Sequence, residues 1–194
     1  MTAGALALLT ACGGSDGGTT GGHDTSTMSS SAPAATTASS QPAAQFNDAD
    51  VMFAQMMIPH HQQAVEMADM AGTRASDKEI KDLAAKIKAA QDPEIQTMQG
   101  WLQAWGKPAP SGGMGHSMPG IMSEKDMKKL EASKGAAFDK QFTQLMIAHH
   151  NGAIEMARTE QTQGSNPEAK QLAKAIESAQ QTEVAQMQKL LDRL

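Results

Sequence analysis

Residues 57–68 read MIPHHQQAVEMA, and residues 146–157 read MIAHHNGAIEMA. The second stretch is the first displaced by 89 positions. Working outward, the same offset pairs Asp50 with Asp139, Phe53 with Phe142, Leu83 with Leu172, Ile87 with Ile176, Met98 with Met187 and Leu102 with Leu191. About 24 of some 53 aligned positions are identical, without a gap, and coincidence does not produce that. Each copy has the period of one helix, a turn and a second helix. Two copies therefore predict an all-α four-helix bundle of two tandem helical hairpins with approximate two-fold symmetry.

Helix starts support the reading. Ser76-Asp77-Lys78-Glu79 and Ser165-Asn166-Pro167-Glu168 have capping-box character at matching positions, and Pro167 suits a first turn. Ser123 caps a third start, and Asn47 or Asp48 the first. Helices are expected near 48–73, 77–104, 124–162 and 167–193, with Gly135 breaking or bending the third near its beginning. Phe53, Met57, His60, Ala64 and Met67 fall on one stripe at i, i+3, i+4 spacing, and Phe142, Met146, His149, Ala153 and Met156 repeat it. Pro59, whose partner is Ala148, removes a backbone hydrogen bond and is expected to kink the first helix.

Composition narrows the function. The formal net charge of −5 gives no basic face for nucleic acid. Aromatic residues make up only 3% and tyrosine is absent, while helix formers dominate. One cysteine excludes an internal disulfide and a cysteine-cluster metal site. That residue, Cys12, follows the apolar run MTAGALALLTA, and Leu9-Thr10-Ala11-Cys12 fits a bacterial lipobox. Residues 1–12 are thus expected to be a lipoprotein leader lacking its charged n-region, with the true start upstream. Lipidated Cys12 would tether the protein to the outer face of a membrane, periplasmic or cell-surface. Residues 13–46 are rich in Gly, Ser, Thr, Ala and Pro and read as a flexible tether. Residues 47–194 form the predicted domain, with halves 47–105 and 124–194 and a Met-rich linker over 106–123.

Methionine is the compositional outlier, with 15 residues. Thioethers fill cores, and they also ligate soft copper. His60 and His61 lie about 100° apart on a helix. His60 is expected to face the core and His61 its edge, one turn from Met57; His149, His150 and Met146 repeat this. Asp50 and Asp139 are expected near the lines of His61 and His150. In the linker, Met114, His116 and Met118 form a Met-x-His-x-Met run that glycine and proline keep out of a helix. Thioether with imidazole selects copper, as Cu(I) or Cu(II). Glu66 and Glu155 read as solvated. The Glu-x-x-His pairs of a di-iron site are missing, and no nucleophile–base pair emerges, so no enzyme is expected. A metal-free helical surface interaction domain with an unknown partner is the alternative.

PHHQQAVEMA and FDKQFTQLMIAHHNGAIEMA, with a Met-rich linker between them and a lipoprotein leader before them, resemble the domain of unknown function 305 family. The resemblance covers about residues 47–194. It implies an exported protein with a ferritin-like four-helix bundle. Some relatives, the CopM-type periplasmic proteins, bind copper. The residues matching the motif are His60, His61, Met57, Met67, His149, His150, Met146 and Met156.

Overall fold

The computed structural model describes residues 45–110 and 118–194. Cys12, Met114 and His116 lie outside the described residues, as does nearly all of the expected tether. The described chain folds as α1 (Asp48–Arg74), α2 (Lys78–Ala104), α3 (Glu124–Ala132), α4 (Ala136–Gln163) and α5 (Pro167–Leu191). No helix among the described residues is long and apolar enough to cross a membrane.

The expected third helix is two helices. Ser133 ends α3 in extended backbone. Gly135 then takes φ 62° and starts α4 without a side-chain cap, a conformation that favours glycine. The Gly135 N–H donates to the Arg74 carbonyl at 2.8 Å, tying the start of α4 to the end of α1. Asn47 caps α1 with a reciprocal Asp50 bond, and Ser123 caps α3. In the two repeat-matched starts the cap lies one residue later than the expected serines, at Asp77 and Asn166. Those serines have another partner, described below. α1 continues through Pro59 as one helix of 27 residues.

α1 packs on α2, α4 packs on α5, and the two hairpins meet through α1 and α4. The core has two compartments. One gathers Met67, Leu83, Ile87, Phe142, Met146 and Met187. The other gathers Phe53, Met57, Met98, Met156 and Ile176. Phe53 and Phe142 are repeat partners in opposite compartments, as are Met57 and Met146, and Met67 and Met156. Hence α1 and α4 run antiparallel, and the two-fold that relates the hairpins exchanges the compartments. Burying two apolar halves is the dominant stabilising term, at roughly 25 cal/mol per Å² of apolar surface.

Each end of the bundle carries the same latch. Asp50 accepts from the Ser165 N–H, the Asn166 N–H (2.9 Å) and the Ser165 hydroxyl. Asp139 accepts from the Ser76 N–H, the Asp77 N–H (3.0 Å) and the Ser76 hydroxyl. Each hairpin's first helix thus satisfies the orphan amides at the start of the other hairpin's second helix. Both carboxyls are buried. This corrects the expectation that Asp50 and Asp139 lie beside the histidines: they hold the helix ends together.

Candidate metal centre

Between the two apolar compartments sits a layer of histidine. The His60 and His149 rings approach to 3.7 Å between centroids, tilted by 39°. They meet where α1 crosses α4, so each is the other's repeat partner. His60, His61, His149 and His150 are all fully buried. The expectation that His61 and His150 sit at an edge is therefore corrected. The apolar stripe on one helix predicts one interface, but α1 and α4 each have two, one towards the hairpin partner and one towards the other hairpin. The second histidine of each doublet faces the hairpin partner.

There it finds a carboxylate. His61 Nε2 lies 2.7 Å from Glu94 of α2, and His150 Nε2 lies 2.6 Å from Glu183 of α5. Glu94 and Glu183 are themselves related by the 89-residue offset. A carboxylate oxygen accepts, so each Nε2 carries the proton and donates. Likewise, His60 Nε2 donates to the Pro119 carbonyl at 3.1 Å. The proton of three imidazoles is thereby assigned to Nε2. Their Nδ1 atoms are buried and make no hydrogen bond among the described residues. His149 uses neither ring nitrogen in such a bond among those residues.

Burial, reinforced by the neighbouring His61, pushes the His60 imidazole down to about 3. Burial and then the nearby His60, His150 and His61 hold His149 well below its ordinary value. Both rings are neutral at physiological pH, so each keeps a lone pair. An imidazole whose N–H is pinned by a carboxylate or a backbone carbonyl, with its other nitrogen free, is arranged as metal-ligating histidines are. Among the described residues no three His, Cys, Asp or Glu side chains already converge on one point. The donors that could join the imidazoles are thioethers, which suit a soft ion.

The structure separates the methionines. Met57 and Met146 precede His60 and His149 by one turn and are fully buried, one in each compartment. Met67 and Met156 lie on the far side of the layer, again one per compartment. These four therefore flank the histidines symmetrically and also fill the core. Met118 is buried and adjoins Pro119, so the linker's one described candidate stands next to the His60 contact. Glu66 and Glu155 are exposed, as expected.

The linker forms a strap across this layer. Gln63 clamps it through both amide atoms, donating to the Met122 carbonyl at 2.9 Å and accepting from the Met122 N–H at 2.7 Å. The repeat partner of Gln63 is Gly152, and there the strap's own backbone comes down. A Cβ on Gly152 would stand 2.0 Å from the Pro119 carbonyl oxygen, and one on Gly120 would stand 2.7 Å from the Ala148 carbonyl oxygen. Gly120 also has φ 73°. The asymmetry between the halves was expected at Pro59; its visible structural seat is the strap, Gln63 and Gly152.

Two groups escaped the reading of the sequence. Glu94 and Glu183 were not singled out, although both match at the repeat offset. The same holds for Gln91 and Gln180, one turn earlier and buried.

A bundle of two antiparallel hairpins with buried histidine doublets at their crossing defines the class, and comparison with known proteins agrees. The family model described as a domain of unknown function, DUF305, matches residues 50–191. The chain belongs to the DUF305 family. It is 35% identical to a presumed secreted protein of the family from Streptomyces coelicolor, with 75% of this chain and 93% of that one covered and a TM-score of 0.70. It is 30% identical to a DUF305 fragment from Deinococcus radiodurans, covering 76% and 98% at a TM-score of 0.71. It is also similar to CopM solved in a Cu(I)-bound form, at 34% identity, 74% and 96% coverage and a TM-score of 0.64. A comparison with curated proteins finds no match.

Proposed function

We propose that this chain is an extracytoplasmic copper-binding protein that sequesters or hands on copper, and not an enzyme. The observation that carries the reading is the buried layer of four histidines, three with Nε2–H pinned and Nδ1 free. His60, His61, His149 and His150 would hold the ion, with Met57, Met67, Met146, Met156 and Met118 as nearby thioethers. Copper is cargo here. Imidazole accepts either oxidation state, and thioether favours Cu(I). CopM has been solved with Cu(I) and with Cu(II), which supports both. Met114 and His116 belong to the same linker and extend the donor set.

Export is part of the proposal. The Streptomyces relative is described as secreted in presumption, and the lipobox around Cys12 supplies a route to a lipid anchor on the outer face of a membrane. The deciding experiment is a Cu(I) and Cu(II) titration of the protein and of a variant with all four histidines changed to alanine, with circular dichroism as the folding control. We expect the variant to lose most of the bound copper. A folded variant that holds as much copper as the parent sinks the proposal. Loss of a cell-surface partner with unchanged copper content would favour a metal-free interaction domain.

A further inference from the structure

A groove of about 410 Å³ opens between the N-terminal half of α1 and the C-terminal half of α4. Its walls include Met52, Phe53, Met56, Met156 and Glu160, and Pro119 of the strap closes one side. Met52 and Met56 are four residues apart, so they stand one turn apart on one face of α1. Met156 and Glu160 have the same relation on α4. The groove is therefore faced by three thioethers from two antiparallel helices, with the carboxyl-bearing Asp48, Glu155 and Glu160 also in its lining.

Two features set these residues apart from ordinary core filling. Met52 is 59% exposed, the large apolar side chain left most open to solvent among the described residues. Exposed thioether invites oxidation and buries no surface in return. Secondly, the bundle's symmetry does not demand the set. The repeat partners of Met52, Met56 and Glu160 are Gln141, Leu145 and Ala71. The groove chemistry exists in one half only, on the side where the strap meets His60.

We propose that this groove is a second, more accessible site for a soft monovalent cation, Cu(I) or Ag(I), held by Met52, Met56 and Met156. Thioether-rich donor sets select soft ions over the hard cations that are more abundant in water. Because the Pro119 backbone lines the groove and also accepts from His60, the site adjoins the histidine layer. It serves as the point where the ion first lands. The proposal rests on the copper reading above.

Ag(I), which undergoes no redox cycling, tests it on the full chain. Three proteins are compared: the parent, the Met52→Leu/Met56→Leu double variant, and the variant with all four histidines changed to alanine. Leucine occupies the position equivalent to Met56 in the second repeat, so the exchange preserves the fold. Bound silver is counted after desalting, and methionine methyl groups labelled with carbon-13 are followed by NMR. The expected result is movement of the Met52, Met56 and Met156 methyl signals in the parent. The double variant then loses one equivalent and keeps the histidine equivalent, while the four-histidine variant keeps the groove equivalent. A double variant that binds as much silver as the parent overturns the groove site and leaves the histidine centre standing. That would also be the result if the groove instead seats an apolar side chain of another protein. A parent that binds no silver or copper overturns both readings.

Discussion

His61 and Glu94 show how much one contact can change a residue's meaning. A lone histidine in a core is a polar group to be satisfied. A histidine whose N–H is held by a carboxylate keeps its other nitrogen, and that nitrogen's lone pair, out of the bond. Replacing Glu94 or Glu183 by glutamine keeps the shape and removes the charge. We expect each change to weaken copper binding about 10- to 100-fold, as outer partners of ligating histidines do, with little change in thermal stability; competition against a chromophoric Cu(I) chelator measures it. Glu160 gives a second prediction. Burial, and then its bond to Asp50, push its carboxyl up to about 8. Burial also pushes Asp50 up, but bonds from Asn47, Glu160, Asn166 and Ser165 outweigh that and hold it below the usual range. Glu160 is thus the protonated member and donates. Its folded value lies above the unfolded one, so the native state binds the extra proton between about pH 4.5 and 8, and stability falls as pH rises through that window. Glu160→Gln should remove this slope. Melting curves at pH 5 and pH 8 should show the variant gaining on the parent at the higher pH, and parallel curves would refute the assignment. His60 and His149 act in the opposite sense. Their folded values are depressed, so the unfolded chain binds the extra protons, and stability is lost as pH falls below about 6.5.

At the scale of the element, the strap over residues 118–122 is held by a side chain on α1 and by an absence of side chain on α4. Gln63→Ala deletes both clamp bonds to Met122 and should cost about 1–2 kcal/mol. Hydrogen exchange should report it as faster exchange of the Met122 amide, with α2 and α5 unaffected. Gly152→Ala drives a methyl into the Pro119 carbonyl. It should cost about 1–3 kcal/mol, as overpacking does, and break the His60–Pro119 bond. Much of this was legible beforehand. Spacing located the long helices, the inward turn of His60 and His149, and the break at Gly135. It could not locate Glu94, because helical periodicity says which face of α1 is buried and not which residue of α2 comes to meet it. The burial of His61 was missed for a related reason: a stripe reports one neighbour, and α1 has two. The strap has no periodicity to read. Its only mark was the exchange of Gln63 for Gly152 inside an otherwise close repeat.

For the whole molecule, the reciprocal latches decide how the halves depend on each other. Asp50→Ala leaves two amides and a hydroxyl without their acceptor at the start of α5, and Asp139→Ala does the same at α2. Each should cost about 1–3 kcal/mol in urea unfolding. The two latches are at opposite ends of helices roughly 40 Å long, so the double variant should be additive within about 0.5 kcal/mol. Residues 45–105 alone carry half of each apolar compartment and one partner of each latch. Expressed separately, that hairpin should show no cooperative thermal transition.

The antiparallel crossing of α1 and α4 has one more consequence. Because the second hairpin is turned end over end, α2 finishes at the opposite pole from the place where α4 begins. The chain must therefore travel the length of the bundle between them, and the equator it has to cross is where the two doublets meet. A chain with this topology cannot leave its histidine layer uncovered by its own connection on that side. A change confined to that one crossing segment would therefore alter what covers the histidine layer without altering a helix.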